Sequence, residues 1–129
     1  MEGVERIEAL EFHKNARGKV QIFPTVSINT DRQMAVAYVP GSTAACEEIE
    51  RDQACAYDYT GKANRVAEVS NGTALLGMGK VDPIVSLPVL EGKCLMLKLM
   101  GDVNAIPMAI EAKEAGEVMS FCRMIAPTV

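Results

Sequence analysis

The sequence predicts an α/β fold: one small domain with a short mixed sheet flanked by helices, and a helical arm at its N-terminus. Three observations predict it. Segments with helical and extended patterning alternate along the chain. Turn signals such as Pro40-Gly41 and Asn71-Gly72 separate them. The chain has 129 residues, 49% hydrophobic and 23% charged, enough for one domain with a real core and no covalent staples.

The elements follow in order. Residues 3–14 read as a short helix, with Val4, Ile7 and Leu10 on one side and charged residues on the other. Residues 15–33 read as irregular, punctuated by Gly18 and Pro24, with a short extended piece at Val20-Gln21-Ile22-Phe23. Met34 to Val39 is apolar and ends at the Pro40-Gly41 turn. Thr43 to Arg51 reads as a helix, with Ser42 or Thr43 as candidate N-cap. Asn64 to Ser70 reads as a strand before the Asn71-Gly72 turn, and Thr73 to Met78 as the next extended piece. Pro88 to Met100 is a helix apolar on nearly all sides, with Pro88 in its first turn and Gly101 as its stop. A helix of that kind belongs inside a larger assembly. Val103 to Ile110 reads as a strand and Gly116 to Ile125 as a final helix before Pro127.

Charge narrows the function classes. The net charge is −4 and the pI ≈ 5.0. Nucleic acid and anionic membranes want clustered Lys and Arg, so neither is expected as a partner. No apolar run approaches the ~20 residues of a membrane helix. The start, Met1-Glu2-Gly3-Val4-Glu5, lacks the features of a secretory signal. Cys46, Cys55, Cys94 and Cys122 form no C-x-x-C pair, and His13 is the single histidine. No metal site is expected from these residues. They read as free, mostly buried thiols of a cytoplasmic protein.

Two phosphate motifs fail on inspection. In Gly72-Thr-Ala-Leu-Leu-Gly77-Met78-Gly79-Lys80, Met78 occupies the position a P-loop gives to lysine. A dinucleotide fingerprint would need glycine where Asp82 stands. Gly77 and Gly79 read instead as glycines for close packing or a turn. No cofactor-binding residue is assigned.

Two residues stand out. Lys93 interrupts the apolar run Val89-Leu90-Glu91-Gly92-Lys93-Cys94-Leu95-Met96-Leu97. It either snorkels outward or is partly buried with a task. Burial disfavours the charged amine, and a neutral amine can act as a base near pH 7. Gly92 beside it is costly in a helix and hints at a close approach by backbone or ligand. Lys98 points elsewhere and reads as surface. Tyr38, between an apolar run and a turn, is either a half-buried aromatic or a phenol presented at the end of an element. Tyr57 and Tyr59 read as packing residues or remote from substrate.

Several segments together resemble the N-terminal domain of malic enzymes, especially the short bacterial and archaeal type. They are Ala37-Tyr38-Val39-Pro40-Gly41, Tyr59-Thr60 with Asn64-Arg65-Val66-Ala67, Val69-Ser70-Asn71-Gly72 through Gly79, and Pro88-Val89-Leu90-Glu91-Gly92-Lys93. Ala9-Leu10-Glu11-Phe12-His13 and Gly18-Lys19-Val20 are similar to the family's start. The pieces keep the family's order and spacing over nearly the whole chain. Ser42 and Thr43 replace the usual Val-Ala, and the residues around Lys62 and Glu68 depart from the usual pattern.

The resemblance implies a function. Malic enzymes oxidise L-malate at C2 with NAD or NADP and decarboxylate it to pyruvate with a divalent metal, Mg or Mn. Lys93 matches the family's lysine and is implied as the base that takes the C2 hydroxyl proton. Tyr38 matches its tyrosine and is implied as the acid that protonates C3 after carbon dioxide leaves. The family's metal-binding Gly-Gly-Ile-Asn-Leu-Glu-Asp stretch would follow Met124 to Val129. That stretch and the cofactor-binding domain are absent from the 129 residues. The expectation is therefore residues 34–129 as the N-terminal catalytic domain, inactive alone and binding no cofactor by itself. It would be part of a larger enzyme or a half that joins a separate cofactor-binding chain. The alternative is a non-catalytic assembly or dicarboxylate-binding module that keeps the fold. The resemblance also implies a homodimer, with residues 1–33 as an arm exchanged between protomers.

Overall fold

The computed structural model describes residues 6–129. Positions 3–5 of the first expected helix, Val4 among them, and the Met1-to-Glu5 segment lie outside the described residues. The chain divides into two compact units, one from the N-terminus to Gln21 joined with Arg65–Val129, the other Ile22–Asn64.

The first unit contains helix α1 (Arg6–Ala16) and a strand–helix–strand core. Strand β1 (Arg65–Ser70) pairs in parallel with β2 (Asn104–Ala109), with Arg65 opposite Asn104 and Ser70 opposite Ala109. The sheet is thus two parallel strands rather than mixed. Pro107 sits mid-strand opposite Glu68, a place proline tolerates when the strand is an edge. Helix α5 (Leu87–Gly101) packs on both strands and buries Leu90 and Cys94. A 3₁₀ turn, Pro83–Ser86, leads into it, capped by the Asp82 carboxylate accepting from Ile84 N at 3.0 Å. At its end the left-handed residue is Asp102 (φ 53°) rather than Gly101. Lys98 is an exposed surface residue, as expected, paired with Asp102 and donating to Asn104 Oδ1 at 3.0 Å.

Thr73 to Met78 is not an extended segment. Leu75 and Gly79 form an isolated antiparallel bridge around a tight turn, in which Gly77 and Gly79 take positive φ with open space around them. Turning, not close packing, is their role. Gly72 does both: its φ is +73°, and a Cβ there would fall 2.5 Å from the Val81 carbonyl oxygen. Leu76, at the tip, is wholly exposed.

Helix α6 (Ala115–Ile125) closes the unit. The Glu117 carboxylate reaches back to accept from the backbone N–H groups of Glu114, at 3.0 Å, and Lys113. Those bonds hold the Glu117 carboxyl below its ordinary value of 4.5. A lowered folded-state pKa stabilises the fold above 4.5, and the contribution is lost as pH falls through the folded value. Acidification is therefore expected to lower the protection of the Lys113 and Glu114 amides, relative to their intrinsic exchange rates, before that of α6. Glu117→Ala should abolish that pH dependence in an exchange measurement.

In the second unit, helix α2 (Asp31–Ala37) occupies part of what reads from sequence as an irregular stretch. Its signal is a capping box: Thr30 Oγ1 accepts from Gln33 N at 3.2 Å, and Gln33 Oε1 accepts from Thr30 N at 3.1 Å. The Tyr38-Val39-Pro40 turn follows, with a cis Val39–Pro40 bond. Helix α3 (Gly41–Arg51) starts two residues earlier than its composition suggests. Neither Ser42 nor Thr43 caps it. Pro40 holds the N-cap position, and the Ser42 hydroxyl donates to the Tyr38 carbonyl. The short helix α4 (Ala56–Tyr59) lies between two 3₁₀ turns. Tyr57 and Tyr59 are exposed, so they are not packing residues within this unit. Residues 20–23 form no strand, and Ile22 is 95% exposed.

The expected core is thinner than composition suggests. Among the described residues only Gly72, Ser86, Leu90 and Cys94 are fully buried. The four cysteines are free, but Cys46 and Cys122 are exposed and Cys55 half-buried, so the thiols are not mostly buried. No helix among the described residues is long and apolar enough to cross a membrane.

Candidate active site

Helical spacing places Val89, Lys93, Met96 and Met100 along one side of α5, while Leu90 and Cys94 turn inward. That outer side borders an open cleft of about 780 Å³, whose lining also includes Glu68 and Val103. Lys93 and Glu68 are the charged groups of this apolar lining. The Lys93 ammonium lies 3.6 Å from Glu68 Oε2. The lysine side chain is 60% exposed and the glutamate 25%. Of the two readings of Lys93, the outward-reaching one is observed, and burial within this unit is not. An ion pair this exposed contributes little to stability. Its effect is to anchor one cation over an apolar floor.

Beneath it, burial pushes the Cys94 thiol up, and the Glu68 carboxylate adds to the shift. Cys94 therefore remains a thiol and serves packing.

Tyr38 belongs to the second unit. It ends α2, its N–H donates to the Met34 carbonyl at 2.9 Å, and its carbonyl accepts from Ser42 N at 2.8 Å. The backbone is held on both sides while the side chain is 68% exposed. The phenol is presented rather than half-buried. Lys93 is thus brought to Glu68, while Tyr38 is placed in the other unit.

No group of three or more His, Cys, Asp or Glu able to hold a metal exists among the described residues. The described carboxylates do not fit a metal centre.

Sequence reasoning missed Glu68 and the contacts of Gly92. Glu68 was legible as a charge inside Val66-Ala67-Glu68-Val69. Among the described residues no backbone approaches Gly92 closely: a Cβ there would meet only the Lys19 ammonium, at 3.5 Å, an ordinary contact.

The parallel strand–helix–strand unit makes this a small α/β domain with Lys93 paired to Glu68 at an apolar cleft. The family profile for the malic enzyme N-terminal domain matches residues 17–120. The chain belongs to the malic enzyme family. It is 40% identical over 129 residues to an NADP-dependent malic enzyme of Rhizobium meliloti, covering 99% of this chain and 17% of that protein. Its fold is similar to the crystal structure of a malic enzyme from Pyrococcus horikoshii, with a TM-score of 0.92 and 43% identity over 95% of this chain and 29% of that one. An NAD-dependent malic enzyme of Thermotoga maritima aligns with a TM-score of 0.89 and 32% identity over 93% of this chain and 34% of that one. The chain spans between 17% and 34% of these relatives' lengths.

Proposed function

We propose that this chain supplies the substrate-handling N-terminal part of a malic enzyme acting on L-malate. The observation that carries the reading is Lys93, anchored by Glu68 at the cleft, inside the segment that resembles the family's lysine motif. In its neutral amine form, Lys93 Nζ takes the proton of the C2 hydroxyl as C2 gives up its hydride and becomes a carbonyl. The bond from C3 to its carboxylate then breaks, and its electrons form the enolate. Tyr38 delivers its phenolic proton to C3, giving pyruvate. A general base or acid of this kind is worth about 10²–10⁴-fold in rate. Oxidation of C2 needs a hydride acceptor, NAD or NADP by the relatives' names. We assign the acceptor's site and the metal ligands to parts outside these 129 residues, so the chain alone is inactive.

We further propose a cytoplasmic homodimer in which the arm of residues 1–33 is exchanged. The exposed Ile22, Phe23 and Val26 support it, being apolar groups that need a cover. A solution mass showing only monomer at high concentration would remove the dimer.

The functional test is a steady-state assay with L-malate, manganese and either dinucleotide. It is run on the chain alone and after mixing with a malic-enzyme cofactor domain lacking its own N-terminal part. Activity in the mixture alone is expected. Activity in neither, with a folded chain and a demonstrated complex, would favour an assembly module. Tyr38→Phe in the complete enzyme should spare malate oxidation more than pyruvate formation, read as dinucleotide reduction against pyruvate released. Equal loss of both would reassign Tyr38.

A further inference from the structure

Lys19 meets α5 one turn before Lys93. Its backbone N–H donates to Glu91 Oε2 at 3.1 Å. Its ammonium donates to the Pro88 carbonyl and, at 3.2 Å, to His13 Nε2. His13 Nδ1 lies 2.8 Å from the Ala9 carbonyl, so Nδ1 carries the imidazole proton and Nε2 is free to accept. Gly18 permits the approach: its φ is +107°, and a Cβ there would sit 3.7 Å from Glu91 Oε1. The ammonium then lies over Gly92. Glycine weakens a helix interior, and here it stands directly before Lys93. The brace ties Pro88 and Glu91, in the turn just before that weak point, to His13 of α1.

We propose that Lys19 is a positioning residue that holds the first two turns of α5, and so sets where the Lys93 amine stands over the cleft. The inference rests on the reading of Lys93 as the base. Three features separate this brace from a passing contact between exposed side chains. Both its backbone and its side chain are engaged. Lys19 is half-buried. Its two α5 partners, Pro88 and Glu91, belong to the turn that ends at Gly92. Arginine at 19 would keep a donor within reach of Pro88, whereas methionine keeps the stem and loses the charge.

The test has two arms. Amide exchange is measured on the 129-residue chain as wild type, Lys19→Met and Lys19→Arg. Lys19→Met is expected to speed exchange about tenfold over residues 89–94, leave α6 unchanged and be reversed by Lys19→Arg. Exchange that accelerates uniformly, or not at all, overturns the proposal. In the complete enzyme, Lys19→Met should lower kcat for malate oxidation at least tenfold with KM changed less than twofold. Lys93→Ala is run beside it. Oxidation that survives Lys93→Ala removes the base reading, whatever Lys19→Met does. Oxidation lost in Lys93→Ala but unchanged in Lys19→Met removes the positioning role alone.

Discussion

Lys93→Ala is expected to lower the rate of malate oxidation in the complete enzyme by about 10²–10⁴-fold, the usual worth of a positioned general base. The fold should survive it. The Lys93 side chain is 60% exposed, and its ion pair with Glu68 spans 3.6 Å in contact with solvent, a pair worth about 1 kcal/mol or less. Thermal unfolding of the variant should therefore stay within a few degrees of wild type, roughly 5 °C at most on that stability change. Small amines added to the assay offer a further check, because an external base of suitable size can restore part of a rate lost with the lysine. A variant that oxidises malate at more than a tenth of the wild-type rate would assign the base elsewhere.

Gly41→Ala is expected to be the most disruptive single-methyl change in the second unit. A Cβ at Gly41 would fall 2.0 Å from the Val36 carbonyl oxygen and 2.6 Å from Val36 Cα. Both obstacles are backbone, so no side-chain rotation relieves them. The start of α3 would have to move off the end of α2, opening the turn that carries Tyr38, Val39 and Pro40. Overpacking of this kind costs about 1–3 kcal/mol, and a backbone clash belongs at the upper end. A fall in Tm of roughly 5–15 °C follows for a chain of this size. Exchange should rise over residues 31–51 and remain near wild type in β1, α5 and β2. In the complete enzyme, the same substitution should impair pyruvate formation, because Tyr38 moves with the turn. An unchanged Tm would mean that the α2–α3 turn yields more easily than its backbone contacts imply.

What the sequence made legible was local. β1, α5, β2 and α6 each carry their own pattern and stop signals, and the observed bounds differ from the expected ones by only a residue or so. Helix α2 was equally local, since Thr30 and Gln33 form its capping box. The apolar run that follows, Met34 to Val39, carries no polar face to mark it as a helix. Thr73 to Met78 misled for a related reason: its leucines suggest burial, yet Leu76 caps an exposed turn. Lys93 was conspicuous because it breaks an apolar run. Its partner Glu68 was not, since only the packing of α5 on β1 brings the two together. Lys19 and Glu91 are 72 positions apart, beyond any periodicity. The core was overestimated because composition counts apolar residues without saying which of them face another surface. Val89, Met96 and Met100 are such residues.

The parallel pairing of β1 with β2 also sets how this chain folds. Arg65 and Asn104 stand about forty positions apart, so the sheet cannot begin as a hairpin. The intervening segment, with α5 inside it, must close as a loop before the first ladder bond forms. That closure costs chain entropy without immediate return. Helices α5 and α6 gain their hydrogen bonds from near neighbours and are expected to assemble early, with the strands registering last. Parallel, non-local pairing of this sort slows folding relative to a helical bundle of equal length. The two strands are thus expected to be the late step, and the surface on which α5 packs stays open in a newly made chain until the helix is laid across both.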